Sequence, residues 1–187
     1  TNLGFNLGYT SNYMDSSHLN YNLQVDGHHL NDHFSTTENG IEFGGDFDRY
    51  FDAYHVGVRT GFESLQQRSP RDTAKKSLLE ISPWIAKYGD GWRIQGGVRF
   101  FADIMDGNTR PLIYPSARME YDMVSQYFIP YGGVDGKLSL NSYKSITREN
   151  PFILPGLHIQ NTKYNMILFA GIRGHLGPSA FSNAKLN

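Results

Sequence analysis

Apolar and polar side chains alternate residue by residue over Leu19–Val25: Leu19, Tyr21, Leu23 and Val25 share one face, Asn20, Asn22 and Gln24 the other. Successive strand residues point to opposite faces, so this rhythm marks a β-strand lying between an apolar and a polar medium. The rhythm returns along most of the chain. Leu3, Phe5, Leu7 and Tyr9 alternate with Gly4, Asn6, Gly8 and Thr10, and Ile41, Phe43, Gly45 and Phe47 with Glu42, Gly44 and Asp46. Tyr54, Val56, Val58, Thr60 and Phe62 alternate with His55, Gly57, Arg59, Gly61 and Glu63, and Trp92, Ile94, Val98 and Phe100 with Arg93, Gln95, Gly97 and Arg99. Helical spacing fits none of these stretches.

Leu78–Lys87, Ile113–Met123, Tyr127–Leu138 and Tyr164–Leu176 read as less regular strands. They carry Pro83, Pro115 and Pro130, and proline removes a ladder donor, which suits edges, strand starts and bulges. The total is about ten strands, the ninth within Leu154–Thr162. Five links are short and rich in turn residues: Met14–His18, Arg49–Asp52, Gly89–Gly91, Val124–Gln126 and Gly177–Ala180. Between them fall four longer ones: Asp26–Gly40, Ser64–Ser77, Asp103–Arg110 and Ser139 to about Pro155. Short and long alternate, which in an up-and-down antiparallel sheet gathers the tight turns at one end and the long loops at the other. Transmembrane β-barrels have that asymmetry.

Composition bears on what the apolar face touches. Mean hydropathy is −0.46, and no stretch approaches the roughly 20 apolar residues of a spanning helix. A barrel is compatible with that value because only alternate residues meet lipid. A net charge of −1 with no basic patch gives no reason to expect nucleic acid, and the absence of cysteine removes disulfides, thiolate metal sites and cysteine nucleophiles. Aromatics are 14% of the chain, and Tyr9, Tyr13, Tyr50, Phe51, Tyr54, Tyr88, Trp92 and Phe128 gather near the short-turn end, as rings at headgroup depth do. The polar face carries Glu42, Asp46, His55, Arg59, Glu63, Arg93, Arg99, Arg118, Glu120, Asp122 and Arg173, costly in a dry core and at home in a wet lumen. The lipid-facing set is then Leu19, Tyr21, Leu23, Val25, Phe43, Phe47, Tyr54, Val56, Val58, Phe62, Trp92, Ile94 and Val98. The alternative is a soluble sandwich or barrel whose charged face is its outside.

Candidate chemistry is sparse. His28, His29 and His33 share one loop with Asp32, yet the spacing matches no tetrahedral zinc signature, so the expectation is a solvated loop with no metal and no cofactor. Counting outward from Arg49–Asp52 sets Glu42 near Arg59 and Asp46 near His55. An Asp–His pair suits acid–base chemistry, but opposite charges across strands also stabilise a sheet, and no oriented nucleophile accompanies the pair. No catalytic residues are assigned, and the chain is read as not an enzyme. Gly44–Gly45, Gly96–Gly97 and Gly132–Gly133 lie inside strand patterns, where glycine permits bending or close approach. Arg68–Lys76 is a basic stretch suited to an outer loop meeting lipopolysaccharide phosphates, and Asn150–Gly156 is an apolar stretch inside a long loop.

Tyr114–Phe152 (YPSARMEYDMVSQYFIPYGGVDGKLSLNSYKSITRENPF) and Ile81–Val98 (ISPWIAKYGDGWRIQGGV) resemble barrel strands of the TonB-dependent-receptor-like outer-membrane proteins of the Bacteroidota. The resemblance covers about half the chain, through "strand, Pro, aromatic, Asp-Gly-Trp, alternating strand" and DG…NSY…ENPF. It implies a large plugged barrel energised through a TonB box and importing a bulky ligand; neither plug nor TonB box is recognisable here. The expectation is an all-β, antiparallel, up-and-down transmembrane barrel at the cell outer membrane. Residues 1–187 would form a single segment of a larger barrel, because short turns on the periplasmic side make the chain begin downward and enter an eleventh strand at Phe181. Its expected role is transport, as a TonB-dependent receptor-like transporter or a porin. The rivals are a structural or assembly subunit and an outer-membrane hydrolase. Expected partners are outer-membrane lipid and lipopolysaccharide, with other outer-membrane subunits or a TonB system in prospect.

Overall fold

A computed structural model describes residues 2–13, 17–32, 35–70, 73–124, 127–150, 160–177 and 180–186. Ten antiparallel strands form one sheet in sequence order: β1 (Asn2–Ser11), β2 (Asn20–Asn31), β3 (Thr37–Phe51), β4 (Tyr54–Arg68), β5 (Thr73–Gly89), β6 (Trp92–Met105), β7 (Asn108–Tyr121), β8 (Ile129–Ser139), β9 (Thr162–Gly177) and β10 (Ala180–Leu186). One helix, α1 (Tyr143–Glu149), interrupts the link between β8 and β9. The sheet is up-and-down and open, with β1 and β10 as its edges.

The register fixes two faces. Tyr21 pairs with Phe47, which pairs with Val58, and Trp92 pairs with Tyr121. By this alternation the apolar face carries Tyr21, Leu23, Val25, Phe43, Phe47, Tyr54, Val56, Val58, Phe62, Trp92, Ile94 and Val98. Leu19 precedes β2 and is exposed. The polar face carries Glu42, Asp46, His55, Arg59, Glu63, Arg93, Arg99, Arg118, Glu120 and Arg173, while Asp122 lies past β7, its N–H bonded to Gly91 O. Apolar residues on the first face stay open: Leu3, Phe5 and Leu7 are 63%, 55% and 66% exposed. Packing occurs on the other face, where Leu65, Leu78, Phe101, Tyr114, Leu138 and Leu140 form a buried cluster.

Three expected long loops are mostly strand. β2 runs to Asn31 and β3 starts at Thr37; β4 runs to Arg68 and β5 starts at Thr73; β6 and β7 are separated by Asp106–Gly107 alone. Both turn residues have positive φ (49° and 85°), the two-residue hairpin geometry that Asp-Gly favours. The strands continue where the apolar face itself turns polar, through His29, Asn39, Ser64, Gln66 and Lys75, so alternation fades while pairing persists. Only the link from Leu140 to Asn161 is long. It contains α1, which the alternation could not reveal. The strand expected within Leu154–Thr162 and the apolar stretch Asn150–Gly156 fall largely outside the described residues, as does His33.

The prolines mark breaks in the ladders. Tyr88 N–H bonds to Ala53 O, so even-numbered β5 residues bond to β4, and the missing donor of Pro83 faces β6. Pairing of β5 with β6 stops at Ile81 and resumes at Trp84. Asp122 N–H bonds to Gly91 O, so even-numbered β7 residues bond to β6 and Pro111 and Pro115 lack donors toward β8. Met123 N–H bonds to Phe128 O, which sets the same alternation for β8 and turns the missing donor of Pro130 toward β7. Regular β7–β8 pairing is confined to Ala117–Glu120 with Tyr131–Val134, between these prolines.

Candidate functional site: the polar face

The sheet curls so that the segment after β8 reaches β3 across the polar face. Glu38, 1% exposed, accepts the N–H groups of Tyr143 and Lys144 at the start of α1 and lies 3.1 Å from His28 Nε2. A carboxylate is almost never fully buried unless paired, and here three donors satisfy it at a helix N-terminus that has no acidic residue of its own. Tyr143 OH donates to Asp32 Oδ2 at 2.9 Å, and Lys76 Nζ donates to Asn141 O at 3.4 Å. Asn141 Nδ2 holds Gln160 O and Thr162 Oγ1, tying both ends of the link together. Burial, with Asp32 accepting the phenolic hydrogen bond, pushes Tyr143 up to about 12. Lys76 was expected in a solvated basic loop; it is instead 4% exposed, on the inner side of β5.

Near the short-turn end a second cluster closes around His55. Its Nε2 lies 2.6 Å from Asp48 Oδ2 and its Nδ1 3.2 Å from Tyr88 OH, with Tyr50 stacked at 3.9 Å and Trp84 edge-on at 4.8 Å. Asn20 donates to Asp48 and to Tyr13 O. The expected Asp46–His55 pairing is therefore corrected to Asp48–His55, because the hairpin turns at Asp52–Ala53 and strand pairing continues through Phe51 and Tyr54. His55 is 8% exposed with both ring nitrogens engaged, an arrangement that orders this end of the polar face. Tyr50 and Tyr88 belong to this cluster and leave the apolar-face aromatics; Tyr21, which its alternation places on the apolar face, and Tyr121, unremarked in the sequence, join that set.

Between the two ends run ion pairs that cross strands. Asp46 holds Arg59 at 2.8 Å, correcting the expected Glu42–Arg59 neighbour. Arg99 reaches Glu80 at 2.8 Å and Asp135 at 3.2 Å and donates to Gly136 O, bridging β5, β6 and β8. Glu120 lies between Arg118 and Arg173. Glu42 instead faces Glu63 directly, with Asp26 on its other side. Like charges directly opposite destabilise a pair, yet no hydrogen bond or ion pair engages Glu42 or Glu63 among the described residues.

His28 and His29 are consecutive in β2 and point to opposite faces; His28 meets Glu38, and His29 meets Asn39 Oδ1 at 2.7 Å. They do not converge on one point, and no group of three or more metal-ligating side chains gathers among the described residues. The arrangement can order polar solutes and water against fixed charges of both signs. Compared with protein-family models, curated proteins and solved structures, the chain matches none.

Proposed function

We propose that this chain is part of the wall of an outer-membrane β-barrel acting in transport, in the form of a TonB-dependent receptor-like transporter or a porin. The observation that carries the reading is the exposed apolar face. Along β3 it runs from Ile41 to Phe51, about 33 Å of strand at about 3.3 Å per residue. Tilted as barrel strands are, that corresponds to a band about 25 Å tall. Its rims fit the same reading. At the short-turn end Arg49 lies over the Phe51 ring at 5.2 Å and Lys87 over the Tyr54 ring at 5.4 Å, pairing long cations with aromatics as interfacial anchors do. At the other end the same face turns polar at His29, Asn39, Ser64 and Lys75. The likeness of Ile81–Val98 and Tyr114–Phe152 to TonB-dependent-receptor-like strands favours the transporter form.

A second reading has its own observation. The β8–β9 segment folds across the polar face and is anchored there by Glu38, which suits a barrel occluded as a structural or assembly subunit. Two measurements distinguish them: the porin form expects solute flux above protein-free vesicles from liposomes containing the full-length protein, the TonB-dependent form expects uptake by intact cells that stops when the proton-motive force is collapsed, and neither flux nor such uptake favours the structural role.

A further inference from the structure

We propose that the polar face holds a binding site for a short zwitterionic peptide of about four residues, the extended length that joins its two charged ends. The inference deepens the transport reading by naming its substrate class, and rests on it for its biological role. A half-enclosed cavity of about 400 Å³ lies between β3–β4 and the chain that leaves β8 at Leu138–Leu140, within the size range of small-molecule sites. Its floor is bare backbone: Gly44 and Gly61 are directly paired, and a Cβ on either would meet only ordinary contacts, 4.0 Å to Gln24 and 3.5 Å to Glu80. The floor is therefore open space that the fold does not require to be empty.

The charges at its two ends have opposite sign. At one end stand Glu42 and Glu63, directly opposed across β3 and β4 and engaged by no cation among the described residues. At the other, about 13 Å away along β4 by strand rise, stands Arg59. Among the described residues only its Nε is committed, to Asp46, and the side chain is 53% exposed, leaving the guanidinium's remaining donors available. An ammonium group between the two carboxylates relieves their mutual repulsion, and a carboxylate at Arg59 meets planar paired donors. The glycine floor lets the ligand's backbone lie against the sheet between them. Neighbouring Arg99 is already satisfied by Glu80, Asp135 and Gly136 O, so it closes the side of the cavity without competing for the ligand.

The test is titration calorimetry on the full-length protein in detergent, with tetraglycine as probe, beside N-acetyltetraglycine, which lacks the cation, and tetraglycinamide, which lacks the anion. The site predicts saturable binding of tetraglycine and at least about tenfold weaker binding of each blocked probe, the scale of one lost charge-assisted contact. Gly44→Leu fills the floor and abolishes binding, whereas Gly96→Leu, at an open position on the apolar face, leaves it intact and controls for folding. Glu42→Gln with Glu63→Gln removes the preference for the free ammonium. No saturable binding, equal affinity for the acetylated probe, or full binding by a folded Gly44→Leu protein overturns the proposal. Transport is read separately: binding with neither liposome flux nor energy-dependent uptake by intact cells sinks the transport reading and leaves the site standing.

Discussion

Glu38 is the residue on which the inward fold of the β8–β9 link depends. Glu38→Ala leaves two helix N–H groups and His28 without their acceptor in a site closed to water, a loss of about 3 kcal/mol in denaturant unfolding. Amide exchange at Tyr143 and Lys144 should rise with it, and unchanged protection there contradicts the latch. Tyr143 adds a pH dependence. Its folded-state pKa, about 12, lies above the ordinary value of 10.0, so the folded state holds the proton more tightly. Its contribution is complete below pH 10 and is lost as pH rises through 12. A phenolate titration followed in the ultraviolet should show late-ionising tyrosine, and Tyr143→Phe should remove one tyrosine from that late component. At this scale alternation placed side chains on faces, but pairing needed the turn. A hairpin closed at Asp52–Ala53 rather than across Arg49–Asp52 moves the partner of His55 from Asp46 to Asp48. Glu38 left no signal, because a polar residue in a polar stretch does not disclose that a distant helix end covers it.

Strands were legible where their two sides differ. They vanished from the sequence where both sides are polar, at Asp26–Asn31, Thr37–Gly40 and Gln66–Arg68, although the ladders run on. The Asp-Gly at 106–107 was the available signal for the tight β6–β7 hairpin. The prolines were readable as ladder breaks, but the side of the break became visible only with the register. Because Pro115 and Pro130 both withhold donors from the β7–β8 ladder, that seam is held more by side chains: the Tyr114 ring against Gly136, and Arg99 reaching Asp135. Pro115→Val returns one donor opposite β8 and should add about 1 kcal/mol and slow exchange along Val134–Gly136. Unaltered exchange there means that something other than the missing donors keeps the seam unpaired.

For the whole molecule, the deciding quantity is what touches the exposed apolar face. If it is hydrocarbon, an arginine at mid-band Val58 costs about 2–4 kcal/mol, and one at Gln66, beyond the band, costs little. Urea unfolding in lipid vesicles reads that difference, and equal costs at both sites argue against a bilayer. The most direct measurement exploits the absence of native cysteine: spin labels on single cysteines from Tyr54 to Arg68 of the vesicle-reconstituted protein, with collision rates for oxygen and for a water-soluble nickel chelate. The account predicts oxygen-rich, nickel-poor environments at 54, 56, 58, 60 and 62, the reverse at 59, 61 and 63, and nickel access at 64, 66 and 68. Uniform nickel access along the strand contradicts it.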